Sequence, residues 1–189
     1  MTLHRLLAAG ALALAALCPT AHAVVLAADG QWAGFTVDGN LPPYSLVWVD
    51  NNAAAVHFTF AVAVGFQARL TVVDAGFSGD RFSVSNHGVV LGSTSVPVAG
   101  DPAGAIEFSY DSALADANFS RSTFMLGAGS HDITGLLSQS LATADGPLDA
   151  TFGAVRLDIS PVPEPATLAT LLAGLALLTV WRRRRNPSK

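Results

Sequence analysis

The sequence predicts an all-β fold, a β-sandwich of jelly-roll-like type, flanked by an N-terminal signal helix and a C-terminal transmembrane helix. In the middle of the chain, short segments alternate apolar and polar residues with the period of two that is typical of strands. Turn residues, above all glycine, separate these segments at short intervals. Both ends carry uncharged apolar runs. We therefore divide the chain into residues 1–23, 24–160 and 161–189.

The N-terminal segment, residues 1–23, has the three parts of a secretory signal peptide. His4 and Arg5 form a basic start, and an apolar run without charge follows. Ala21 and Ala23 provide the small residues that signal peptidase requires at its cleavage site. The apolar run is too short to cross a bilayer stably, which favours cleavage over anchoring. We expect signal peptidase to release a mature chain that begins directly after Ala23.

The middle of the chain divides into strand-like segments that are joined by turns. The predicted strands are residues 30–37, 45–49, 55–62, 68–74, 81–85, 89–91, 122–126, 131–138 and 152–159. Residues 111–119 are expected to form a short helical turn or a loop. A domain of this length buries enough surface to fold without metal ions or disulfides.

Three glycine-containing connections predict hairpins. Gly65 lies between two alternating segments, so residues 55–74 are expected to pair with each other. Asn86-His87-Gly88 is a turn of the Asn/Gly type and predicts a second hairpin. Gly127-Ala128-Gly129 predicts a third. Gly135 interrupts the strand that follows, whose later half is therefore expected to be bulged or irregular.

Cysteine usage and charge limit the chemistry of the domain. Cys18 is the only cysteine and lies within the signal segment, so the mature chain has neither a disulfide nor a reactive thiol. Between Val24 and Ser160 there are four arginines, no lysine and thirteen acids, which gives a formal charge of −9. Such a domain repels phosphate backbones, so we expect no nucleic-acid partner. Calcium and neutral glycans are compatible with it.

The C-terminal segment combines three unlike parts in a fixed order. A Pro-Glu-Pro element comes first, formed by Val162, Pro163, Glu164 and Pro165. An uncharged stretch of sixteen residues, 166–181, follows and would give roughly 24 Å of helix. It ends in an interfacial tryptophan and in a positive cluster of Arg182, Arg183, Arg184 and Arg185. Because arginines mark the cytoplasmic side, we expect a single-pass transmembrane helix with the domain outside the membrane.

This tail resembles the PEP-CTERM sorting domain of Gram-negative bacteria. The resemblance implies that an exosortase, an integral membrane enzyme, processes the chain near the Pro-Glu-Pro element. It also implies a destination at the cell surface or in the extracellular matrix of exopolysaccharide-producing bacteria. The prolines hold the element extended and outside the helix, which keeps it accessible beside the bilayer.

The middle of the chain resembles, more loosely, the body of one recurring group of PEP-CTERM proteins. The matching segments are Thr71-Val72-Val73-Asp74, Gly79-Asp80-Arg81-Phe82-Ser83-Val84, Gly88 with Leu91-Gly92-Ser93-Thr94-Ser95, Arg121-Ser122-Thr123-Phe124, Gly127-Ala128-Gly129-Ser130-His131-Asp132-Ile133 and, in the closing strand, Arg156-Leu157-Asp158. That group has no assigned activity, so this resemblance implies no site residues.

Asp74 and Asp80 form a weak candidate calcium site. They flank a glycine-containing loop, and hard carboxylate oxygens suit calcium. The spacing is not that of an EF-hand, however, since Gly76 and Ser78 occupy positions where that motif needs acids. The alternative is that the two aspartates cap local turns by accepting backbone N–H groups.

Aromatic and histidine residues suggest two further kinds of site. Trp32, Tyr44, Trp48 and Tyr110 could form a glycan-binding platform, although tryptophans in strand-like segments pack by default in the core. The histidines of the domain are scattered and lack the spacing of a zinc site. They are His57, His87 and His131.

Taken together, these features predict a non-enzymatic envelope protein that is exported and sorted by its tail. The chain has no catalytic fingerprint of a nucleophile elbow or nucleotide-binding loop, and we expect no catalytic residues and no bound cofactor apart from the weak calcium candidate. The expected partners are signal peptidase, the membrane, an exosortase-type enzyme and, as a candidate ligand, exopolysaccharide. Two alternatives stay open: a polysaccharide- or calcium-binding module, and a secreted glycan hydrolase.

Overall fold

The structure, a computed structural model, describes residues 22–42, 44–97, 106–162 and 166–185. Its strands are β1 His22–Val25, β2 Trp32–Asp38, β3 Val56–Val62, β4 Phe66–Phe77, β5 Arg81–Asn86, β6 Val89–Ser93, β7 Ile106–Glu107, β8 Arg121–Leu126, β9 Gly129–Gln139, β10 Ala142–Thr143, β11 Gly146–Pro147 and β12 Ala150–Pro161. Its helices are α1 Tyr110–Ala115 and α2 Ala166–Arg185.

Most strands belong to two sheets. The first sheet has the order β1-β3-β9-β5-β6, and the second has the order β2-β12-β4, with β7 and β8 both paired to β4. All of these neighbours are antiparallel except β1 and β3, which run parallel. Strands β10 and β11 form a separate two-stranded ribbon. Strand β12 therefore lies inside the second sheet, between β2 and β4.

The two sheets share one apolar core. Alternate residues of β3, β5 and β9 in the first sheet pack with alternate residues of β2, β4 and β12 in the second, which is the inward face that a period of two requires. Trp48 lies in this core, 1 % exposed, with its ring stacked 3.9 Å from that of Phe35. The all-β class is thus confirmed, whereas the jelly-roll detail stays a prediction. The signal helix falls on residues outside the described ranges.

Two of the three predicted hairpins are wrong in their pairing. The strands on either side of Gly65 exist, but β3 pairs with β1 and β9, whereas β4 pairs with β12 and β8. The connection at residues 127–128 likewise joins β8 of the second sheet to β9 of the first. Both connections are arches that carry the chain from one sheet to the other, so the apolar faces of successive strands meet across the core.

The hairpin at Asn86-His87-Gly88 is confirmed. Strands β5 and β6 pair around it, and His87 and Gly88 both have positive φ, 49° and 76°. A two-residue turn with this backbone matches the twist of antiparallel strands, and glycine adopts it without strain. The local turn chemistry was therefore sufficient to specify this pairing.

Gly135 has a packing role. Strand β9 runs without a break from Gly129 to Gln139, and its pairing with β5 shifts near Arg81 and not at the glycine. A Cβ atom at Gly135 would lie 2.2 Å from Cε2 of Trp48. The expected irregularity is therefore present in the later half of β9 but displaced, and the glycine is required because the tryptophan ring covers it.

The remaining elements cover the edges and the outer face of the second sheet. Residues 45–49 were expected to form a strand, but they make only isolated bridges to both sheets. Helix α1 confirms the short helical turn expected near residue 111, and the Ser109 side chain caps it by accepting the backbone N–H of Ser112. Ala113 of α1 packs with Val73 and Ala154 on the outer face of the sheet. Part of β4 is consequently covered on both sides.

Helix α2 begins at Ala166, as expected, and continues through the arginine cluster to Arg185. Within the described ranges, no helix combines the length and the mean hydropathy of a membrane-crossing segment.

Candidate functional site

The structure brings Asp74 and Asp80 into one buried site. Asp74 lies near the end of β4, and Asp80 directly precedes β5. Strand β4 continues through Gly76, and the chain turns at Ser78 and Gly79. Both glycines have positive φ, 84° and 132°, which favours glycine. The two aspartates are 0 % and 1 % exposed. Most of the segment expected to be a calcium-binding loop is therefore strand, and both carboxyl groups are buried.

Each carboxyl group of this site is only half satisfied by hydrogen bonds. Oδ1 of Asp80 accepts the backbone N–H of Leu141 at 2.8 Å, and Oδ1 of Asp74 accepts the Thr151 hydroxyl at 3.5 Å. The second oxygen, Oδ2, of each aspartate has no hydrogen-bond partner among the described residues. Buried oxygens without partners are costly, so a proton, a cation or an ordered water at these atoms would stabilise the site.

Burial decides the charge state of the site. It raises the pKa of Asp74 to about 9, the negative charge of Asp80 adds to the shift, and the backbone N–H groups of Ala75 and Asp80 oppose it. Burial also raises the pKa of Asp80, against hydrogen bonds from Thr151 and Leu141. No arginine among the described residues forms an ion pair with either group. At neutral pH the metal-free pair therefore holds a proton on Asp74.

The same site can be assessed for calcium from its oxygen atoms. Thr151 and Asp149 are close to the two aspartates: Asp149 raises the pKa of Asp80, and its Oδ1 accepts the Ser140 hydroxyl. Calcium takes six to eight oxygen ligands. The described residues contain no group of three or more His, Cys, Asp or Glu side chains with the arrangement of a metal site. The oxygen-bearing side chains that the structure places at this site are Asp74, Asp80 and Thr151, with Asp149 near Asp80.

The histidines lie apart and make separate contacts. His57 pairs across strands with Asp132, with Nδ1 2.9 Å from Oδ1. The ring of His87 contacts the backbone carbonyl of Ser130, and the ring of His131 contacts that of Gly127. The contacts of His87 and His131 lie at the connections at one end of the sandwich, whereas that of His57 lies between β3 and β9.

The four aromatic residues considered for a glycan platform are not brought together. Trp48 is in the core, as the packing alternative expected, and Tyr44 lies exposed in the segment after β2. Trp32 and Tyr110 do meet, with ring centroids 5.8 Å apart, and Phe152 continues the row at 6.3 Å from Tyr110. This outer aromatic row packs against α1, and sequence reasoning missed the contribution of Phe152.

Polar groups hold the outer aromatic row in place. The Arg156 guanidinium lies 4.4 Å from the Trp32 ring centroid and donates to Asp111 at 3.0 Å. The indole N–H of Trp32 donates to the same Asp111 oxygen at 3.0 Å. One face of the indole is therefore already occupied by a cation.

A pocket of about 550 Å³ opens beside this row. Its lining is mainly apolar and includes Phe77, Phe108 and Phe152, with Asp38 as the only carboxylate among its lining residues. Asp74 and Asp80 lie outside its lining. The pocket thus lacks the pair of facing carboxyl groups that glycoside hydrolysis uses.

The tail leaves the domain directly from β12. The last strand residue is Pro161, and the backbone N–H of Val162 donates to the carbonyl of Gly65 at 2.8 Å. Of the sorting residues, Pro163, Glu164 and Pro165 lie outside the described ranges, whereas Arg182 is an exposed residue of α2. The remaining arginines of the cluster continue the helix.

The predicted signal cleavage site lies at the edge of the first sheet. Ala23 belongs to β1 and pairs with His57, whereas Ala21 lies outside the described ranges. The residues that would remain after cleavage still contact the domain, because Leu26 is buried and its N–H donates to the carbonyl of Thr59 at 2.9 Å.

Comparison with known proteins identifies a motif in the tail, but it finds only weak structural similarity for the domain. Residues 161–185 match the family described as the PEP-CTERM protein-sorting motif. No curated protein matches the chain. Among solved structures, the pre-peptidase C-terminal domain of collagenase from Bacillus anthracis is 9 % identical, with a TM-score of 0.36, over 75 % of this chain and 97 % of that one.

A second structure, the Aeromonas hydrophila protein PliG, a periplasmic inhibitor of g-type lysozyme, is 13 % identical with a TM-score of 0.30, over 75 % of this chain and 100 % of that one. Likeness at this level carries no information about function. The motif match, by contrast, falls on the residues that follow the end of β12. The chain therefore carries a PEP-CTERM sorting signal behind a β-rich domain.

Proposed function

We propose that the protein is a non-enzymatic envelope protein whose acidic β-domain is exported, held outside the cytoplasmic membrane by its tail, and then released to the cell surface or extracellular matrix. The observation that carries this proposal is the sorting motif at residues 161–185. The motif begins at the last residue of β12, the strand that lies between β2 and β4 in the second sheet. Of the twenty residues of helix α2, the sixteen uncharged ones, 166–181, give roughly 24 Å of apolar helix, and the arginine cluster follows them.

The absence of a catalytic role is part of the proposal. It is supported by the position of the buried carboxyl pair, which lies outside the pocket lining, and by the apolar character of that pocket. A glycan hydrolase would need two carboxyl groups facing a common cleft. Assays of the purified mature chain against a panel of bacterial polysaccharides should show no release of reducing ends, and release above that of a heat-denatured sample would contradict this part.

The sorting assignment is tested by replacing Pro163, Glu164 and Pro165 with alanine in a strain that encodes an exosortase. We expect the variant to keep an intact tail by mass determination and to accumulate in the membrane fraction. Pro187→Ala, beyond the arginine cluster, is the matched control and should mature normally. Normal maturation and surface delivery of the triple variant would show that the motif does not direct this protein.

A second candidate function, calcium binding, is favoured by one observation: the unpartnered Oδ2 atoms of Asp74 and Asp80. A divalent cation would ionise both carboxyl groups and replace the proton that burial otherwise keeps on Asp74. Thr151 would supply a further oxygen, and the remaining ligands would come from backbone carbonyls or water.

The calcium proposal and the protonated-pair interpretation predict opposite results. If calcium binds, the melting temperature of the mature chain at neutral pH rises with calcium over EDTA, and the gain is lost in Asp80→Asn. If the pair only shares a proton, calcium leaves the melting temperature unchanged. Asp145→Asn, at an exposed position, controls for non-specific binding of calcium to an acidic surface.

A further inference from the structure

One end of the sandwich collects the connections between strands and the exit of the tail. Pro161, the last residue of β12, pairs with Phe66, the first residue of β4. Val62 at the end of β3 pairs with Gly129 at the start of β9. The β5–β6 turn joins the same end, since the backbone N–H of His87 donates to the carbonyl of Asp132 at 2.8 Å. We call this the tail end of the domain.

The tail end carries exposed apolar side chains from four separate segments. Val64, at the tip of the β3–β4 arch, is 91 % exposed. Together with it, an apolar rim is formed by Phe66, Val89, Val90, Met125 and Val162, all of which are exposed. Six exposed apolar side chains at one end need an explanation, because exposed apolar residues on soluble proteins are usually scattered singly over the surface.

The apolar rim also lacks charge, although the domain as a whole has a formal charge of −9. Residues 61–68, 86–91, 125–131 and 159–162 contain no Asp, Glu, Lys or Arg. The opposite end also carries exposed apolar residues, among them Leu41 and Phe108, and Phe108 directly follows Glu107. Charged residues begin directly beyond these segments, at Arg69, Asp132 and Asp158. Asp132 pairs with His57, and Arg69 lies 3.9 Å from Asp158.

The short segment between β12 and α2 keeps the tail end of the domain close to α2. Only three residues separate Val162 from Ala166, and four Cα–Cα steps of 3.8 Å span at most about 15 Å. The hydrogen bond from the N–H of Val162 to the carbonyl of Gly65 fixes the exit beside the tip that carries Val64. When α2 is embedded in the bilayer, this tether therefore keeps the tail end of the domain near the headgroup region.

We propose that the apolar rim is a lipid-contact surface that inserts into the outer interface of the membrane while the tail is intact; this inference rests on the proposed role of the tail as an anchor. Apolar side chains gain by leaving water at the headgroup boundary, typically about 5–10 Å deep. The rim side chains carry no charge, so their insertion removes no ionised group from water. Two independent contacts, rim and helix, then orient the domain on the surface.

The test places single labels on the mature full-length chain, which has no cysteine of its own after the signal segment is removed. A nitrobenzoxadiazole label is attached to Val64→Cys or Met125→Cys at the rim, to Leu41→Cys at the opposite end, and to Leu175→Cys in α2. The proteins are reconstituted into phosphatidylcholine vesicles that contain about one phosphatidylglycerol in five lipids, which gives the surface a negative potential. Quenching by lipid-linked nitroxides and by aqueous iodide is then compared.

We expect nitroxide quenching and a blue-shifted emission at both rim sites and at position 175, and iodide quenching alone at position 41. Iodide quenching at the rim with nitroxide quenching at position 175 would overturn the rim proposal and leave the anchor in place. Loss of nitroxide quenching at position 175 would overturn both. A rim that is protected from iodide only in cells that contain exosortase, and not in vesicles, would identify a protein partner and also overturn lipid contact.

Discussion

Replacement of Asp74 by asparagine should stabilise the protein at neutral pH, and more so as the pH rises. The folded state keeps Asp74 protonated up to about pH 9, whereas the unfolded chain ionises it near the ordinary value of 3.8. The stability that this group contributes is therefore fully present below pH 3.8 and is lost as the pH rises through about 9. Asparagine has a similar shape and does not ionise, so it removes this pH dependence.

The size of the effect follows from the difference between the two pKa values. At pH 7 the pH lies 3.2 units above the ordinary pKa of 3.8, so Asp74 is ionised in the unfolded chain but protonated in the folded one. At 1.36 kcal/mol per unit, this ionisation lowers the free energy of unfolding by about 4 kcal/mol. Asparagine also changes the hydrogen bonds of the site by a fixed amount. The slope with pH is thus the diagnostic quantity, and the stability gain of Asp74→Asn should grow by about 1.4 kcal/mol per unit between pH 4 and 8.

The assay is urea unfolding of the mature chain in detergent and EDTA at several pH values, for the parent, Asp74→Asn and the exposed control Asp145→Asn. The control should follow the parent at every pH. A stability difference between Asp74→Asn and the parent that is constant, or that shrinks as the pH rises, would refute the protonated state of Asp74. Repetition in calcium separates the two proposals for the site, since a bound ion would make the same substitution destabilising.

Two packing predictions are checked by the same unfolding assay. Gly135→Ala should lower the free energy of unfolding by about 2 kcal/mol or more, because its Cβ would meet the buried Trp48 ring. The control Gly127→Ala should be nearly neutral, because its Cβ would have nothing within 4 Å. Equal effects of the two substitutions would contradict the packing role of Gly135. In the mature chain, Leu26→Ala should cost about 2–3 kcal/mol while the exposed Val25→Ala costs little, and a neutral Leu26→Ala would show that the segment after the cleavage site is not docked.

The sequence indicated those features that depend on neighbouring residues. The tail could be predicted because its parts are contiguous, and the β5–β6 hairpin because His87 and Gly88 set the backbone of the turn. The arches could not be predicted, since the choice of partner for β4 depends on β12, which lies far along the chain. An alternating strand next to a glycine fits a hairpin and an arch equally well.

The site was located but not characterised by sequence alone. Asp74 follows Val72 and Val73, and such consecutive apolar residues indicate a strand covered on both faces. That signal was present, but the covering helix α1 comes from residues more than thirty positions later. For the same reason the meeting of Tyr110 with Phe152 had no local signature.

The central position of β12 determines how the domain bears mechanical load. Any pull between the domain and its C-terminal attachment acts along this strand, whose hydrogen-bonded pairs with β4 run from Phe152 to Pro161 and whose other edge pairs with β2. Force applied along the axis strains both ladders in parallel, so many bonds must break together. A surface protein exposed to flow or to a growing matrix would resist extraction through its attachment point, at a rate set by unfolding and not by equilibrium stability.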